Sequence, residues 1–243
     1  MKRILLVVLL LVLAIPSISA VPPKPKKPPC APSLAKCPVT GCGKGIDKNL
    51  NRRKNIKTDT QTPELKTLEF IKGLPDPVPG FAKGDTREKL AELGEGQRIT
   101  VVAYALVARP GSRESCNCGL TGAKNTDNHI VLVDTSIDSP SLENDEEDSV
   151  TAEFTPRVRL KHPNFSRAKL QPLIAAAPHQ ALKVRISGVL MFDSEHSLGR
   201  HLTRHNNWEL HPVFGLEYCP KGKTCADDSD ANWKDLESLP SNE

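Results

Sequence analysis

Five segments rich in β-branched, aromatic or other apolar residues constrain the fold of this chain most, because each is long enough to form a strand. They cover residues 98–108, 129–134, 150–155, 181–192 and 208–218. Runs of this kind, bounded by clusters of Gly, Asn, Asp and Pro, predict strands. Between the third and fourth runs, Ser166 would cap a helix that extends to Ala177, although Pro172 is expected to interrupt it or to start a second turn. The predicted order is strand, strand, strand, helix, strand, strand.

That order is typical of the OB-fold, a small five-stranded barrel with a helix between strands 3 and 4. Gly188 lies inside the fourth segment, where a bulge or bend would allow the barrel to coil and close. A β-sandwich would need more strands than the chain supplies. We therefore predict a mainly β protein with an OB-like barrel over 98–219. Short helices over 63–97 would precede the barrel, and 220–243 would form a C-terminal tail.

The first 20 residues predict a secretory signal peptide. Lys2 and Arg3 precede an apolar run over 4–15, and 17–20 supplies small residues for cleavage. The apolar run is shorter than the roughly 20 residues that a bilayer-spanning helix needs. No other segment is apolar and long enough to span a membrane, so we expect a secreted or periplasmic protein. Residues 21–62, rich in Pro and Lys, would form a flexible, cysteine-containing segment.

Seven cysteines in an exported chain predict disulfides, and the odd number leaves at least one thiol outside intramolecular pairs. The pairing cannot be deduced from the sequence. Cys219 with Cys225 would staple the loop between them, and Cys37 with Cys42 would close a tight turn. A structural zinc site is the alternative, but the cysteine spacings match none of the common zinc patterns.

The charge of the chain does not identify a partner. Cleavage of the signal would lower the net charge from +4 to +2 by removing Lys2 and Arg3. A net charge of +2 does not by itself indicate a protein that binds nucleic acid. OB barrels nevertheless bind oligonucleotides and oligosaccharides across one face. The candidate ligand-binding residues on this basis are Lys183, Arg185, Trp208 and Arg200. Aromatic residues make up only 4% of the chain, which argues against tight binding of single-stranded nucleic acid by stacking.

A second group of residues predicts a metal site. It converges from three segments, because OB topology brings their strand ends to one neighbourhood. Its members are His129, Asp193, His196, Glu209 and His211. Glu209 and His211 are two apart on a predicted strand and so share a face. Histidine and carboxylate ligands would suit Zn²⁺ or Mn²⁺ better than Ca²⁺, which prefers oxygen ligands.

The same positions carry a resemblance to a family of uncharacterised secreted bacterial proteins. The pattern is HxxL, then FDxxH, then NxE[IL]HPV, and the likeness covers roughly residues 99–218. The matching residues are His129, Leu132, Gly188, Phe192, Asp193, His196, Asn207, Glu209, His211, Pro212 and Val213. The resemblance supports the domain and its key positions and implies no activity.

Three functions remain open from the sequence. The first is an exported OB-like module that binds a polymer, such as nucleic acid or glycan, or a metal. The second is a metal-dependent hydrolase or phosphodiesterase that uses the His, Asp and Glu cluster, which rests on analogy of fold alone. The third is a purely structural network of histidines and carboxylates that pins a long loop to the barrel.

Overall fold

The computed structural model describes residues 28–57, 61–196 and 203–240. The predicted signal peptide and Arg200 lie outside these ranges. The strands are β1 (Glu64–Leu65), β2 (Arg98–Pro110), β3 (Asn128–Val133), β4 (Val150–Phe154), β5 (Leu182–Phe192), β6 (Trp208–Tyr218) and β7 (Lys234–Asp235). The α-helices are α1 (Lys48–Lys54), α2 (Leu68–Lys72), α3 (Glu88–Glu92), α4 (Leu142–Asp145), α5 (Pro156–Arg159) and α6 (Arg167–Ala176). Single 3₁₀ turns cover Leu34–Lys36, Glu146–Asp148, Pro178–Gln180 and Leu236–Ser238. No helix in the described ranges is long and apolar enough to cross a membrane.

Strands β2 to β6 form a closed barrel, which confirms the predicted fold. Their order is β2, β3, β4, β6, β5, and β5 pairs with β2 to close the sheet. The β4–β6 pair is parallel and the other four pairs of the barrel are antiparallel. This is the OB arrangement. The connection that contains α6 leads from β4 to β5, and the last barrel strand, β6, lies between β4 and β5 in the sheet. The short strands β1 and β7 extend the sheet at β2 and β6.

Side chains alternate along the strands between an apolar inner face and a partly polar outer face. Ile130, Ala152 and Leu210 point into the barrel and are fully buried in its core. Their neighbours in sequence point to the outside, as the period of two in a strand requires. The outer face of β3, β4 and β6 is therefore where polar residues of these strands meet.

Helix α6 closes the barrel core, as predicted for the segment after Ser166. Leu170 and Ile174 are fully buried in the same apolar cluster as the strands. The expected interruption at Pro172 is wrong, because α6 continues through this residue. Pro172 is exposed, so its ring has room on the solvent side of the helix.

Three disulfides tie the chain together. They are Cys30–Cys42, Cys37–Cys118 and Cys219–Cys225, and Cys116 is a buried free thiol. The Cys219–Cys225 staple occurs as considered from the sequence. Cys37 and Cys42 do not pair with each other, because Cys118, in the loop after β2, reaches Cys37. Cys37–Cys118 joins the N-terminal segment to the loop between β2 and β3.

Gly188 marks a bulge in β5, as its place in the sequence predicts, since the register with β6 shifts on both sides of it. A Cβ atom at Gly188 would lie 2.8 Å from the Cβ of Leu210 and 3.3 Å from the carbonyl oxygen of Pro212. We expect Gly188→Ala to lower the free energy of unfolding by about 1–3 kcal/mol, the usual cost of overpacking. Urea unfolding of both proteins measures the difference. An unchanged midpoint would show that the β5–β6 pair can move apart at no cost.

Candidate functional site

A row of polar side chains crosses the outer wall of the barrel. Arg109 on β2 pairs in register with His129 on β3, and His129 pairs with Glu153 on β4. The parallel pairing of Thr151 with Glu209 places His211 of β6 next to Glu153. Paired residues of neighbouring strands point to the same face. The barrel therefore aligns an arginine, a histidine, a glutamate and a second histidine across four strands.

Glu153 lies at the centre of this row. Its Oε2 is 3.0 Å from Nδ1 of His211, and its Oε1 is 3.3 Å from Nε2 of His129. Glu209 approaches the same ring, with its Oε1 3.3 Å from Nδ1 of His211. The Glu153 and His211 side chains are 4% and 1% exposed, whereas that of His129 is 28% exposed. The row is thus buried at β4 and β6 and reaches solvent at His129.

The loop between β2 and β3 covers this row and adds two acidic groups. Asp127 is fully buried, and its Oδ1 accepts a hydrogen bond from Asn117 Nδ2 at 3.2 Å. Glu114 Oε2 lies 3.1 Å from the Cys116 thiol. The Cys37–Cys118 disulfide fixes this loop to the N-terminal segment. The β2–β3 loop therefore forms a lid over the polar cluster.

Helix α1 supplies the buried cation of the cluster. Asp47 caps the helix by accepting hydrogen bonds from the amides of Asn49 and Leu50. At the other end, Lys54 Nζ donates to Glu114 Oε2 at 3.0 Å and lies 3.8 Å from Asp193 Oδ2. Burial opposes the charge of Lys54, but attraction to Asp193 and Glu114 raises its pKa well above the usual range. Lys54 therefore stays charged inside the protein.

Several ligand atoms of the cluster converge on common points. One ligand atom each from Asp127, Glu153 and His211 lie within 4.8 Å of one another. Five buried atoms of the cluster make no hydrogen bond with good geometry: Asp127 Oδ2, His129 Nε2, Glu153 Oε2, Glu209 Oε1 and His211 Nδ1. The four atoms other than Asp127 Oδ2 belong to side chains that form ion pairs at 3.0–3.3 Å without good hydrogen-bond geometry. Buried polar atoms are nearly always satisfied in folded proteins, so this concentration of unsatisfied atoms requires an explanation.

Burial and neighbouring charges shift the acidity of these groups strongly. Burial opposes the charge of His211, but attraction to Glu153 raises its pKa well above the usual range. Burial likewise opposes ionisation of Glu153, but His129 and His211 lower its pKa. Burial and repulsion from Glu114 and Glu153 raise the pKa of Asp127. Groups perturbed in this way by burial and specific partners are concentrated at functional sites.

A second branch of buried charges joins the cluster through β6. Arg204 donates to Glu209 Oε2 at 2.8 Å and lies 3.8 Å from Asp193 Oδ2. Asp193 is hydrogen bonded to Nδ1 of His196, whose side chain is 43% exposed. That hydrogen bond is the main cause of the raised pKa of His196. All five residues of the predicted metal cluster therefore belong to one network, although Glu153, Lys54 and Arg204 supply the links.

The predicted ligand-binding residues lie elsewhere. Lys183 pairs with Asp227 at 2.8 Å, and Arg185 pairs with Asp230 at 2.8 Å, so both contact the C-terminal tail. Trp208 is fully buried in the core, and its Nε1 donates to the carbonyl oxygen of Pro75 at 3.0 Å. The structure does not bring these three residues to the polar cluster on the outer wall.

The most central residues of the site were not among the sequence candidates. Glu153 stands among apolar residues in β4, and Asp127 lies two residues before His129. Glu153 carries a signal that is visible in the sequence, since a lone carboxylate in a strand is a usual sign of function or pairing. Lys54, Glu114 and Cys116 carry no such signal, because only the tertiary structure brings α1 and the β2–β3 loop to the barrel wall.

Comparison with known proteins does not assign the chain to a family. No protein-family model matches the sequence, and a search of curated proteins finds no match. The function must therefore be inferred from the chemistry of the cluster.

Proposed function

We propose that this domain binds a divalent transition metal ion on the outer wall of its barrel. Asp127, Glu153 and His211 would be the ligands, and the partly exposed His129 lies beside Glu153. The observation that carries this proposal is the poor satisfaction of buried atoms: Asp127 Oδ2 has no hydrogen bond, and Glu153 Oε2 and His211 Nδ1 contact each other at 3.0 Å without good hydrogen-bond geometry. A metal ion would satisfy all three atoms at once, whereas the protein alone leaves Asp127 Oδ2 with a desolvation cost of about 1–3 kcal/mol.

The chemistry of the ligands favours Zn²⁺ or Mn²⁺. Two carboxylates and one imidazole are typical ligands of catalytic and binding sites for these ions, and Ca²⁺ would be expected to use oxygen ligands throughout. One ligand atom from each residue lies within 4.8 Å of the other two. Ligands bound to one ion at about 2.0–2.2 Å must lie within such a distance, so little movement is needed to form the site.

Binding of a polymer by Lys183, Arg185 and Trp208 has less support. Lys183 and Arg185 already form ion pairs with Asp227 and with Glu217 and Asp230 of this chain. The indole ring of Trp208 is inside the core, so no base or sugar can stack on it. A polymer would have to displace the C-terminal tail, whereas a metal ion would enter a cluster in which Asp127 Oδ2 lacks a hydrogen-bond partner.

Isothermal titration of chelator-treated protein tests the metal site. We expect Zn²⁺ to bind wild type, and Glu153→Gln and His211→Ala to weaken binding by at least about 100-fold, since loss of an outer-shell partner alone typically costs 10–100-fold. The matched control is His179→Ala, because His179 is exposed and distant in sequence from the cluster. It should bind as wild type does. Absence of Zn²⁺ and Mn²⁺ binding to wild type would leave a structural network of ion pairs as the function of the cluster.

We also propose that the chain is exported and loses residues 1–20. Three disulfides support this proposal, because stable disulfides form in oxidising compartments. The signal-like composition of the first 20 residues supports it independently. Mass spectrometry of the protein from its native compartment should give an N-terminus near Val21. An intact Met1 would contradict export by cleavage.

A further inference from the structure

A cavity of about 390 Å³ lies at the end of the barrel where β5 begins and β6 ends. Pockets that bind small molecules usually have volumes of about 300–1,000 Å³. The cavity is a separate site, because no residue of the polar cluster on the outer wall lines it. Its apolar walls come from the end of α6 and from the two strands, and they include Leu173, Ala177, Ala181, Leu182 and Tyr218.

Tyr218 places an unused hydrogen-bond donor in this cavity. The residue lines the cavity and is only 8% exposed. Its hydroxyl forms no hydrogen bond with any residue in the described part of the chain. Buried tyrosines usually find a partner for this group, because an unsatisfied polar atom is costly to bury. The unused donor therefore indicates a ligand that carries an acceptor atom.

The loop after β6, which a disulfide closes, gives the cavity a positive rim. Lys221 and Lys223 of this loop line the cavity, are exposed and form no ion pair with a described residue. Lys183 also lines the cavity, but it is paired with Asp227 at 2.8 Å. Asp138, which is exposed, supplies the only carboxylate among the described lining residues. The two unpaired lysines therefore favour a ligand whose acceptor atom is negatively charged.

The wall of the cavity after α6 contains two residues in a strained backbone conformation. His179 and Gln180 have φ angles of 54° and 55°, in the left-handed region that residues other than glycine seldom adopt. Such conformations persist where the surrounding structure imposes them, and they are concentrated at functional sites. His179 lines the cavity, so the fold maintains this strain at the cavity wall.

We propose that this cavity binds a small carboxylic acid with an apolar chain. The chain would lie against Leu173 and Leu182, where removal of apolar surface from water stabilises the complex. The carboxylate would accept a hydrogen bond from the Tyr218 hydroxyl and would be attracted by Lys221 and Lys223. This site is independent of the metal site on the outer wall, because the two have no residue in common.

Isothermal titration with decanoate tests the cavity in disulfide-intact protein freed of metal by a chelator that is then dialysed away. We expect one equivalent of decanoate to bind. Decyltrimethylammonium, which has the same chain and a positive head, should bind at least about tenfold more weakly, because like charges repel. Tyr218→Phe keeps the ring and should weaken decanoate binding by about tenfold, the usual effect of losing a hydrogen bond to a charged group.

The lysines of the rim are tested by a matched pair of double variants. Lys221→Met/Lys223→Met should weaken decanoate binding by about fivefold, since exposed charges each contribute little. Lys44→Met/Lys48→Met removes the same charge from exposed lysines that do not line the cavity. This control should bind decanoate as wild type does.

The outcomes decide the inference without reference to metal binding, because the titrations use metal-free protein. Absence of decanoate binding to wild type would overturn it. Equal binding of decanoate and decyltrimethylammonium would also overturn it, because the cavity would then not select a negative head group. Wild-type affinity in both Tyr218→Phe and Lys221→Met/Lys223→Met would place the decanoate elsewhere and would likewise overturn it. The comparison of the two head groups on wild type decides the question even if a variant fails to fold.

Discussion

Lys54→Met is expected to lower the free energy of unfolding by about 3–5 kcal/mol, the typical cost of removing one partner from a buried ion pair. The Lys54 side chain is 2% exposed and contacts Glu114 and Asp193, which are 9% and 2% exposed. Methionine fills a similar volume but leaves the buried Glu114 without its cation and removes one of the cationic neighbours of Asp193, which keeps Arg204 and His196. Chemical denaturation of metal-free protein near neutral pH measures the loss.

Lys83→Met is the matched control for Lys54→Met. Lys83 also forms an ion pair, with its Nζ 3.5 Å from Glu195 Oε1, but its side chain is 52% exposed. Exposed pairs of this kind contribute about 0–1 kcal/mol. If Lys54→Met were as stable as Lys83→Met, the stability of the buried Glu114 and Asp193 carboxylates would not depend on the charge of Lys54.

Removal of the Cys37–Cys118 disulfide is expected to have an effect of similar size. This bond links residues 81 apart in sequence, and the entropy of closing such a loop corresponds to about 4 kcal/mol. The double variant Cys37→Ala/Cys118→Ala should therefore unfold at much lower denaturant concentration than wild type. It should also bind Zn²⁺ more weakly, because the loop that carries Glu114 and Asp127 loses its attachment to the N-terminal segment.

The Cys219–Cys225 bond offers the control for loop length. Its cysteines are only 6 apart in sequence, so Cys219→Ala/Cys225→Ala should cost about 2 kcal/mol. Its loop lies on β6 away from Glu114 and Asp127, and zinc affinity should not change. Equal effects of both double variants on zinc binding would contradict a specific role of Cys37–Cys118 in holding the lid.

The barrel could be predicted because its strands carry the signal themselves. The five predicted segments agree with β2 to β6 within about two residues at each end, the usual precision of strand boundaries. Gly188 was also informative, since a glycine in a long strand indicates a bulge. Pro172 is misleading, because α6 continues through it although a proline inside a helix supplies no amide donor.

The site could be predicted only where strands position it. His129, Glu209 and His211 lie on strands, so topology brings them together on the outer wall. Lys54 and Glu114 come from a short helix and a loop, and their position depends on packing and on Cys37–Cys118. Helix α1 has a single apolar residue, Leu50. Its sequence therefore has no helical pattern of apolar residues that would predict its packing on the barrel. Disulfide pairing, which the sequence leaves open, was therefore the missing information about the site.

Anomalous diffraction from a zinc-soaked crystal is the most direct test of metal binding by this barrel. Chelator-treated protein would be crystallised, soaked in Zn²⁺, and measured on both sides of the zinc absorption edge. We expect a strong zinc-specific peak bounded by Asp127, Glu153 and His211. Zinc peaks confined to exposed histidines such as His179, with the Glu153–His211 ion pair unchanged and no density between Asp127 and Glu153, would contradict a metal site on the outer wall of the barrel.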